Sequence, residues 1–286
     1  LLKSSNDFQW PWAALSPNEA ESAFAREHPV LFKHFKGYEE KLKARYDQGK
    51  FWWELRACAY YGLFNLPKVV IQRIAFHSRY SVDTERTLIN DAAILLPKID
   101  YWSLACLHSP ANWYLSFRHF PHKKDEALAM DIPYVEKLPI AQPTPAIRAE
   151  AEQLVPRLIE ITKANQGATH EVLAWLKAEL HIDSPGNALS DFAALEADAF
   201  IVEARKRIPK AAGGLGPKQV KALHDVYRDY ALPIQTRDAE ASKLEARLSD
   251  LVNQAYGLTP EEIDLMWRTA PPRMPGGESF RTRKTS

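Results

Sequence analysis

The stretch "DIPYVEKLPIAQPTP" (131–145) carries four prolines in fifteen residues. Proline has no backbone N–H and a fixed φ, so this segment can run neither through a helix interior nor through a central strand. It divides the chain into parts with different hydrophobic periodicity. Beyond Pro143 every long segment reads as helical: Ala146 to Ala164, His170 to Leu180, Leu195 to Arg207, Lys218 to Tyr230 and Asp238 to Tyr256. Leu244, Leu248, Leu251 and Val252 form one apolar face in the last of these, and Gly257 stands where a helix C-terminus favours glycine. Thr259 then caps a further helix with Pro260 at its first position and acids in its first turn. The tail from Pro271 onward is expected to be loose, and "AAGGLGPK" (211–218) reads as a linker because it lacks the spacing of a phosphate-binding loop.

Before the proline-rich segment the pattern is mixed. "PVLFKHFKGYEEKLKAR" (29–45) places Leu31, Phe35, Tyr38 and Leu42 at three- and four-residue steps, predicting one basic amphipathic helix. "KFWWELRA" (50–57) and "PKVVIQRIAF" (67–76) are rich in aromatic and β-branched residues and read as strands; "SRYSVDT" and "TLINDAAILLP" look like a further pair joined near Glu85 and Arg86. "YWSLACLHSPANWYLSFRHF" (101–120) is helical with a break at Pro110. The expected architecture is α+β: a mixed-sheet domain over residues 1–142 followed by an all-helical domain over 143–286 with a flexible tail.

With 46% apolar and 26% charged residues the chain has the composition of a soluble globular protein, and its formal charge of +1 gives no global sign of nucleic acid or membrane. A charged binding surface must therefore be local. Residues 33–56 hold seven Lys or Arg against four Asp or Glu and are the best candidate. Cys58 and Cys106 are too few for a disulfide scaffold or a four-cysteine zinc site, which points to a reducing cytoplasm. No apolar run approaches membrane-spanning length, and the start "LLKSSNDFQW" lacks both an initiator Met and a signal-peptide pattern, so the chain reads as a piece of a longer protein.

Catalytic constellations are missing from the sequence. His119 and His122 have a spacing that could hold a metal, but no carboxylate or cysteine motif completes a site, and no G-x-S-x-G elbow is present. An adenine amino-methyltransferase would need a glycine-rich cofactor loop and an Asp/Asn-Pro-Pro-aromatic tetrad; "SPANWY" and "TAPPRM" hold only fragments of the latter. The residues point to binding and positioning rather than to a complete enzyme.

The order of features from Glu27 to Gln166 resembles the region that follows the catalytic part of type IIG restriction-modification enzymes and related adenine-specific DNA methyltransferases. The run "HPVLFKHFKGYEEKLKARYDQGKFWWELRACAYYGLFNLPKVVIQRIA" is similar to that family's basic helix, aromatic-Glu-Leu strand and following strand. "YWSLACLHSPANWYLSFRHF" and "MDIPYVEKLPIAQP" are similar to its later helix and closing segment, and "LSDLVNQAYGLTPEEIDLMW" to its terminal helix. The resemblance implies a TaqI-like target recognition (specificity) domain for double-stranded DNA in a restriction-modification or phage-defence system. "FHSR" (76–79) and "FPHKKDEALAMD" (120–131) depart from the pattern, where a recognition domain would vary with its site.

The same resemblance implies that the parent methylates the N6 amine of a flipped adenine from S-adenosylmethionine, while this piece holds no cofactor and no catalytic residue. Its partners would be double-stranded DNA, the methyltransferase region of the parent chain and other defence-system subunits, with no membrane. Lys33, Lys36, Lys41, Lys43, Arg45 and Lys50 could meet phosphates, or form an ordinary solvated helix face. Gln72, Arg73, His77, Arg79, Arg86, Arg118, Lys123 and Lys124 lie on or beside the expected sheet and could reach base edges, or be ordinary surface charge. Trp52 and Trp53 would point to opposite faces of a strand and are expected to serve mainly as scaffold. The alternative function is a docking module whose helical half holds a nuclease or motor subunit.

Overall fold

A computed structural model describes residues 1–209 and 213–276. The architecture is α+β, with small antiparallel sheets in place of the expected mixed sheet and a helical C-terminal half. The chain forms two compact units, Leu1–Lys68 with Asp83–Ile89, and Val69–Val82 with Asn90–Ser286.

The first unit contains α1 (Pro17–Glu27), α2 (Pro29–Lys36) and α3 (Glu39–Lys43). The single basic helix expected over 29–45 is thus two short ones, interrupted at Gly37 and Tyr38. Neither has a buried residue, although Phe32, Phe35 and Leu42 pack at the edge of the core. That core is aromatic: Trp12, Phe24, Phe51, Trp52 and Trp53, with Ala20 and Ala23.

"KFWWELRA" is not a strand. Glu54 N–H donates to the Phe51 carbonyl at 2.9 Å, closing a tight turn, and a single parallel bridge joins Leu2 to Glu54. A strand would send alternate side chains to opposite faces, whereas this turn puts Phe51, Trp52 and Trp53 all inside. Gly49 faces the same turn so closely that a Cβ there would collide with the Leu55 carbonyl. Both tryptophans are scaffold, as expected, by a different local geometry.

In the second unit, β1 (Lys68–Gln72), which enters from the first unit, is the middle strand of a three-stranded sheet, flanked by β3 (Tyr80–Asp83) and β4 (Ala93–Pro97). The strands expected to pair with one another therefore pair with β1 instead. A separate two-stranded ribbon joins β2 (Ile74–Ala75) to β5 (Leu128–Ala129), with Ile74 opposite Ala129 and Ala75 opposite Leu128. Pro110 starts α5 (Pro110–His119) after α4 (Tyr101–His108), and the Ser109 hydroxyl between them accepts from Asn112 N–H.

The proline-rich segment admits one helical turn, α6 (Ile132–Val135), where Pro133 lies in the first turn and needs no donor. Next comes α7 (Pro145–Leu180), capped by Thr144, which joins the two helices expected there. Gly167 lies inside it with open space around it, so the apolar stripe continues at the modest cost of one helical glycine. After α8 (Gly186–Ser190) and α9 (Ala197–Arg207), α10 (Pro217–Val226) passes through a π turn at Tyr227–Ala231 into α11 (Leu232–Tyr256). The wide turn accommodates Pro233, whose missing N–H and bulky ring a regular helix would resist. Gly257 caps α11 with φ 70°, and Thr259 caps α12 (Pro260–Arg268) as expected.

One core of this unit gathers Val69, Ile71, Tyr80 and Ile94 from the sheet, Trp102 and Trp113 from α4 and α5, Ala151 and Val155 from α7, and Leu251 and Val252 from α11. It straddles residue 143, so the change from strands to helices there is not a change of packing unit. A second, purely helical core holds Val172, Leu176, Leu189, Phe192, Phe200, Leu223 and Tyr227. The segment from Pro271 is not loose throughout: Pro271 and Met274 are buried, while residues 277–286 lie outside the described residues. Residues 211 and 212 of the expected linker also lie outside them, and Gly213 and Gly214 both have positive φ.

Candidate nucleic-acid interface

In the first unit most candidate cations are already engaged. Lys36 pairs with Glu21 and Glu39, which raise its pKa, and Lys43 pairs with Glu39 at 2.6 Å. The Arg45 guanidinium donates to the Leu42, Trp52 and Glu54 carbonyls, and Lys50 Nζ donates to the Ala13 carbonyl at 2.6 Å while lying over Phe51. Lys33, Lys41 and Arg86 are exposed, the last with a left-handed φ of 62°. The continuous basic face expected of residues 29–45 is interrupted: Glu21 and Glu39 neutralise Lys36 and Lys43, and carbonyls take up Arg45.

The second unit assembles the other candidates around the β2–β5 ribbon. Gln72 is exposed on β1, one residue before Arg73. Arg73 donates to Asp131 through Nε at 3.0 Å and to the Asp91 carbonyl, so it fastens one end of the ribbon with its charge balanced. At the other end, β2 runs into the loop carrying Phe76, His77 and Arg79, while β5 follows the turn carrying Lys123 and Lys124. Lys123 N–H donates to the Ala127 carbonyl, and Asp125 and Glu126 hold successive left-handed conformations, φ 57° and 60°. Arg79, Lys123 and Lys124 are exposed, with no ion pair among the described residues.

A third segment completes this end. Thr269 shares a 2.8 Å hydrogen bond with the Tyr114 hydroxyl, and Trp113 Nε1 donates to the Pro272 carbonyl at 3.0 Å. Arg118 lies 3.4 Å from the Tyr114 ring centroid and donates to the Thr269 carbonyl, which occupies it in holding this segment. Arg273 then reaches the ribbon: its Nη1 donates to the Asp125 carbonyl at 3.1 Å, and its guanidinium carbon sits 5.1 Å from the Phe76 ring centroid. Burial, then the charges of Arg79 and Arg273, lower the His77 pKa. Sequence reasoning missed Arg273 because it lies far along the chain in a segment read as loose; the proline pair before it was the available signal.

The histidine pair and the cysteines have other surroundings. His122 Nε2 meets the Phe117 carbonyl at 2.7 Å with its ring edge-on to Phe117. Cys106 is fully buried, and burial pushes its thiol up to about 11; Cys58 is half-buried. Between α7 and α11 lie two adjoining hollows of about 420 and 500 Å³ that share Asn165, Thr169 and Asp238. Burial and the Asp191 charge raise the Asp238 pKa, while Asn165 donates to its carboxylate at 2.7 Å.

Residues 144–252 match a family described as a domain of unknown function, DUF8810. The match begins at the cap of α7 and ends within α11, so it takes in the helical half and leaves out the ribbon. No curated protein and no solved structure matches the chain.

Proposed function

We propose that this chain recognises double-stranded DNA, as the specificity part of an adenine-N6 DNA methyltransferase of the restriction-modification or phage-defence kind. The observation that carries the reading is the ribbon end, where Arg79, Lys123 and Lys124 project from adjoining loops without acidic partners. Unneutralised cations on a two-stranded ribbon suit both phosphate contacts and base-edge contacts in a major groove, which admits such a ribbon. The ordered resemblance over Glu27 to Gln166 supports the same reading, and "FHSR" and "FPHKKDEALAMD", the segments that depart from the family pattern, are the loops at this ribbon end. S-adenosylmethionine and methyl transfer belong, on this reading, to the remainder of the parent. The alternative docking function drew on an apolar face along α11, but Leu248, Leu251 and Val252 of that face are buried.

The test is retention of the chain on a random-sequence duplex library at low and near-physiological salt, followed by sequencing. An enriched motif that is lost when Arg79 and Lys123 are replaced by alanine supports a specificity role. Salt-sensitive retention without a motif supports DNA binding but removes specificity from this piece, and no retention overturns the reading. Among the described residues no helix is long and apolar enough to cross a membrane.

A further inference from the structure

The feature the DNA reading leaves unexplained is why residues 269–274 are fastened to α5 beside the ribbon end. Four separate contacts hold them: Tyr114 to the Thr269 side chain, Arg118 to the Thr269 carbonyl, Trp113 to the Pro272 carbonyl, and the burial of Met274 in the core. At the end of this strap Arg273 adopts φ 60°, a left-handed conformation that a non-glycine residue enters only where its surroundings hold it there. The result is an exposed guanidinium beside the loop that carries His77 and Arg79.

Arg79 N–H donates to the His77 carbonyl at 2.8 Å, and Arg273 sits 5.1 Å from the ring of Phe76, the residue before His77, so both arginines flank the imidazole, and no carboxylate pairs with either among the described residues. Asp125, in the turn that Arg273 contacts, meets it through its backbone carbonyl and not through an ion pair. Like charges drawn together without a counter-charge are unfavourable in the free protein and become favourable when an anion enters. Phe76, two-fifths exposed, lies under the guanidinium and restricts how it can turn.

We propose that His77, Arg79 and Arg273 form a phosphodiester-binding subsite, with the 269–274 strap as the element that sets Arg273 in place. The proposal rests on the DNA reading for the source of the phosphate and extends it in two ways. It adds a residue from the far end of the chain to the interface, and it makes affinity depend on the docking of the strap. Arginine suits the position because its planar fork can donate to the Asp125 carbonyl through one nitrogen and present the remaining N–H groups to phosphate oxygens.

Full-length Arg273→Ala, Arg273→Lys and Tyr114→Phe variants test it by binding to a short random duplex over a salt series. Each phosphate contact adds about 0.9 to the slope of log affinity against log salt, so a fourfold rise in salt costs about 3.5-fold per contact. Arg273→Ala should lose that increment, Arg273→Lys should keep it, and Tyr114→Phe, which removes one of the strap's bonds while leaving the ring beneath Arg118, should fall between. An unchanged slope in Arg273→Ala overturns the proposal. Inorganic pyrophosphate, followed through the His77 ring resonances, separates the subsite from the DNA reading: it should shift them in the native chain and not in Arg273→Ala. If it does so while the native chain binds no duplex, the subsite stands for another phosphate source and the DNA reading falls. No shift in the native chain overturns the subsite.

Discussion

Lys68 Nζ, with no exposed side-chain surface, donates to the Asp83 carboxylate and to the Phe64 carbonyl, so the beginning of β1 and the end of β3 are joined by a buried ion pair. Asp83 in turn accepts from Glu85 N–H and Thr87 N–H, which fixes the chain just beyond the strand. The two partners are not equivalent. Asp83→Asn leaves the buried ammonium with neutral acceptors and no counter-charge and should cost about 3–5 kcal/mol, the usual penalty for breaking such a pair from one side. Lys68→Met leaves a carboxylate that keeps its backbone donors and should cost less, about 1–2 kcal/mol. Urea unfolding at neutral pH measures both, and equal losses would contradict the asymmetry.

The same pair has a pH signature. Lys68, aided by the backbone donors and opposed by burial, holds the Asp83 pKa below its ordinary value. A depressed carboxylate contributes stability that is complete above its unfolded pKa of about 3.9 and is lost as pH falls through the lower folded value. Acid titration of the native chain should show this loss, and Lys68→Met should reduce it; an identical acid profile would count against the assignment.

Glu54 is fully buried and accepts from Ser5 N–H, the Ser5 hydroxyl, Trp12 Nε1 and Lys50 N–H. All four of these groups are donors, so Glu54→Gln turns an amide N–H toward groups that themselves need an acceptor. The expected loss is about 1–3 kcal/mol, read as an earlier urea transition in tryptophan fluorescence. A variant as stable as the native chain would show that these donors find other acceptors.

His77 should titrate below 6.5 in the free protein, because burial and the charges of Arg79 and Arg273 all disfavour its protonated form. Replacing either arginine by glutamine should raise that pKa, which NMR of the imidazole protons reads directly. The sign for duplex binding follows: an anion favours protonated His77, so affinity should increase as pH falls from neutrality toward the free-protein pKa. His77→Gln should flatten that dependence.

The fragment 144–252 should not behave as an independent domain. Ala151, Val155, Leu248, Leu251 and Val252 lie within it, yet all belong to the core shared with the sheet, α4 and α5. Excised, they would leave an apolar face uncovered. The fragment should bind a hydrophobic dye and self-associate in sedimentation, whereas a monomeric, dye-silent fragment would refute this.

How much of this was legible in the sequence differs by element. The helical half was readable because its apolar residues recur at helical spacing and its caps are explicit, as at Thr259 and Gly257. Strands β1, β3 and β4 were readable as runs, but not their order, because pairing is a long-range property that local composition does not carry. "FWWEL" misled because aromatic density signals burial, and burial was taken for a strand when a turn achieves it. The site divided in the same way. Arg79, Lys123 and Lys124 stand out as candidates from local charge, whereas the pairing of Lys36 and Lys43 with Glu21 and Glu39, and the approach of Arg273, depend on contacts across helices and across the chain.

The ribbon beneath the candidate subsite is short, two residue pairs with the isolated bridge from His122 to Leu128, and Ala75 and Leu128 root it in the core while its loops lie outside. Exposed loops open far more readily than a core, and the amides around His77 and Lys124 should exchange before those of Ala75 and Leu128. The subsite is then a population rather than a fixture: what a ligand meets is its intrinsic affinity scaled by the fraction of molecules in which the loops are assembled. Fastening residues 269–274 to α5 raises that fraction, so mutations at Trp113 or Tyr114, whose hydrogen bonds go to Pro272 and Thr269, would register as changes in apparent affinity.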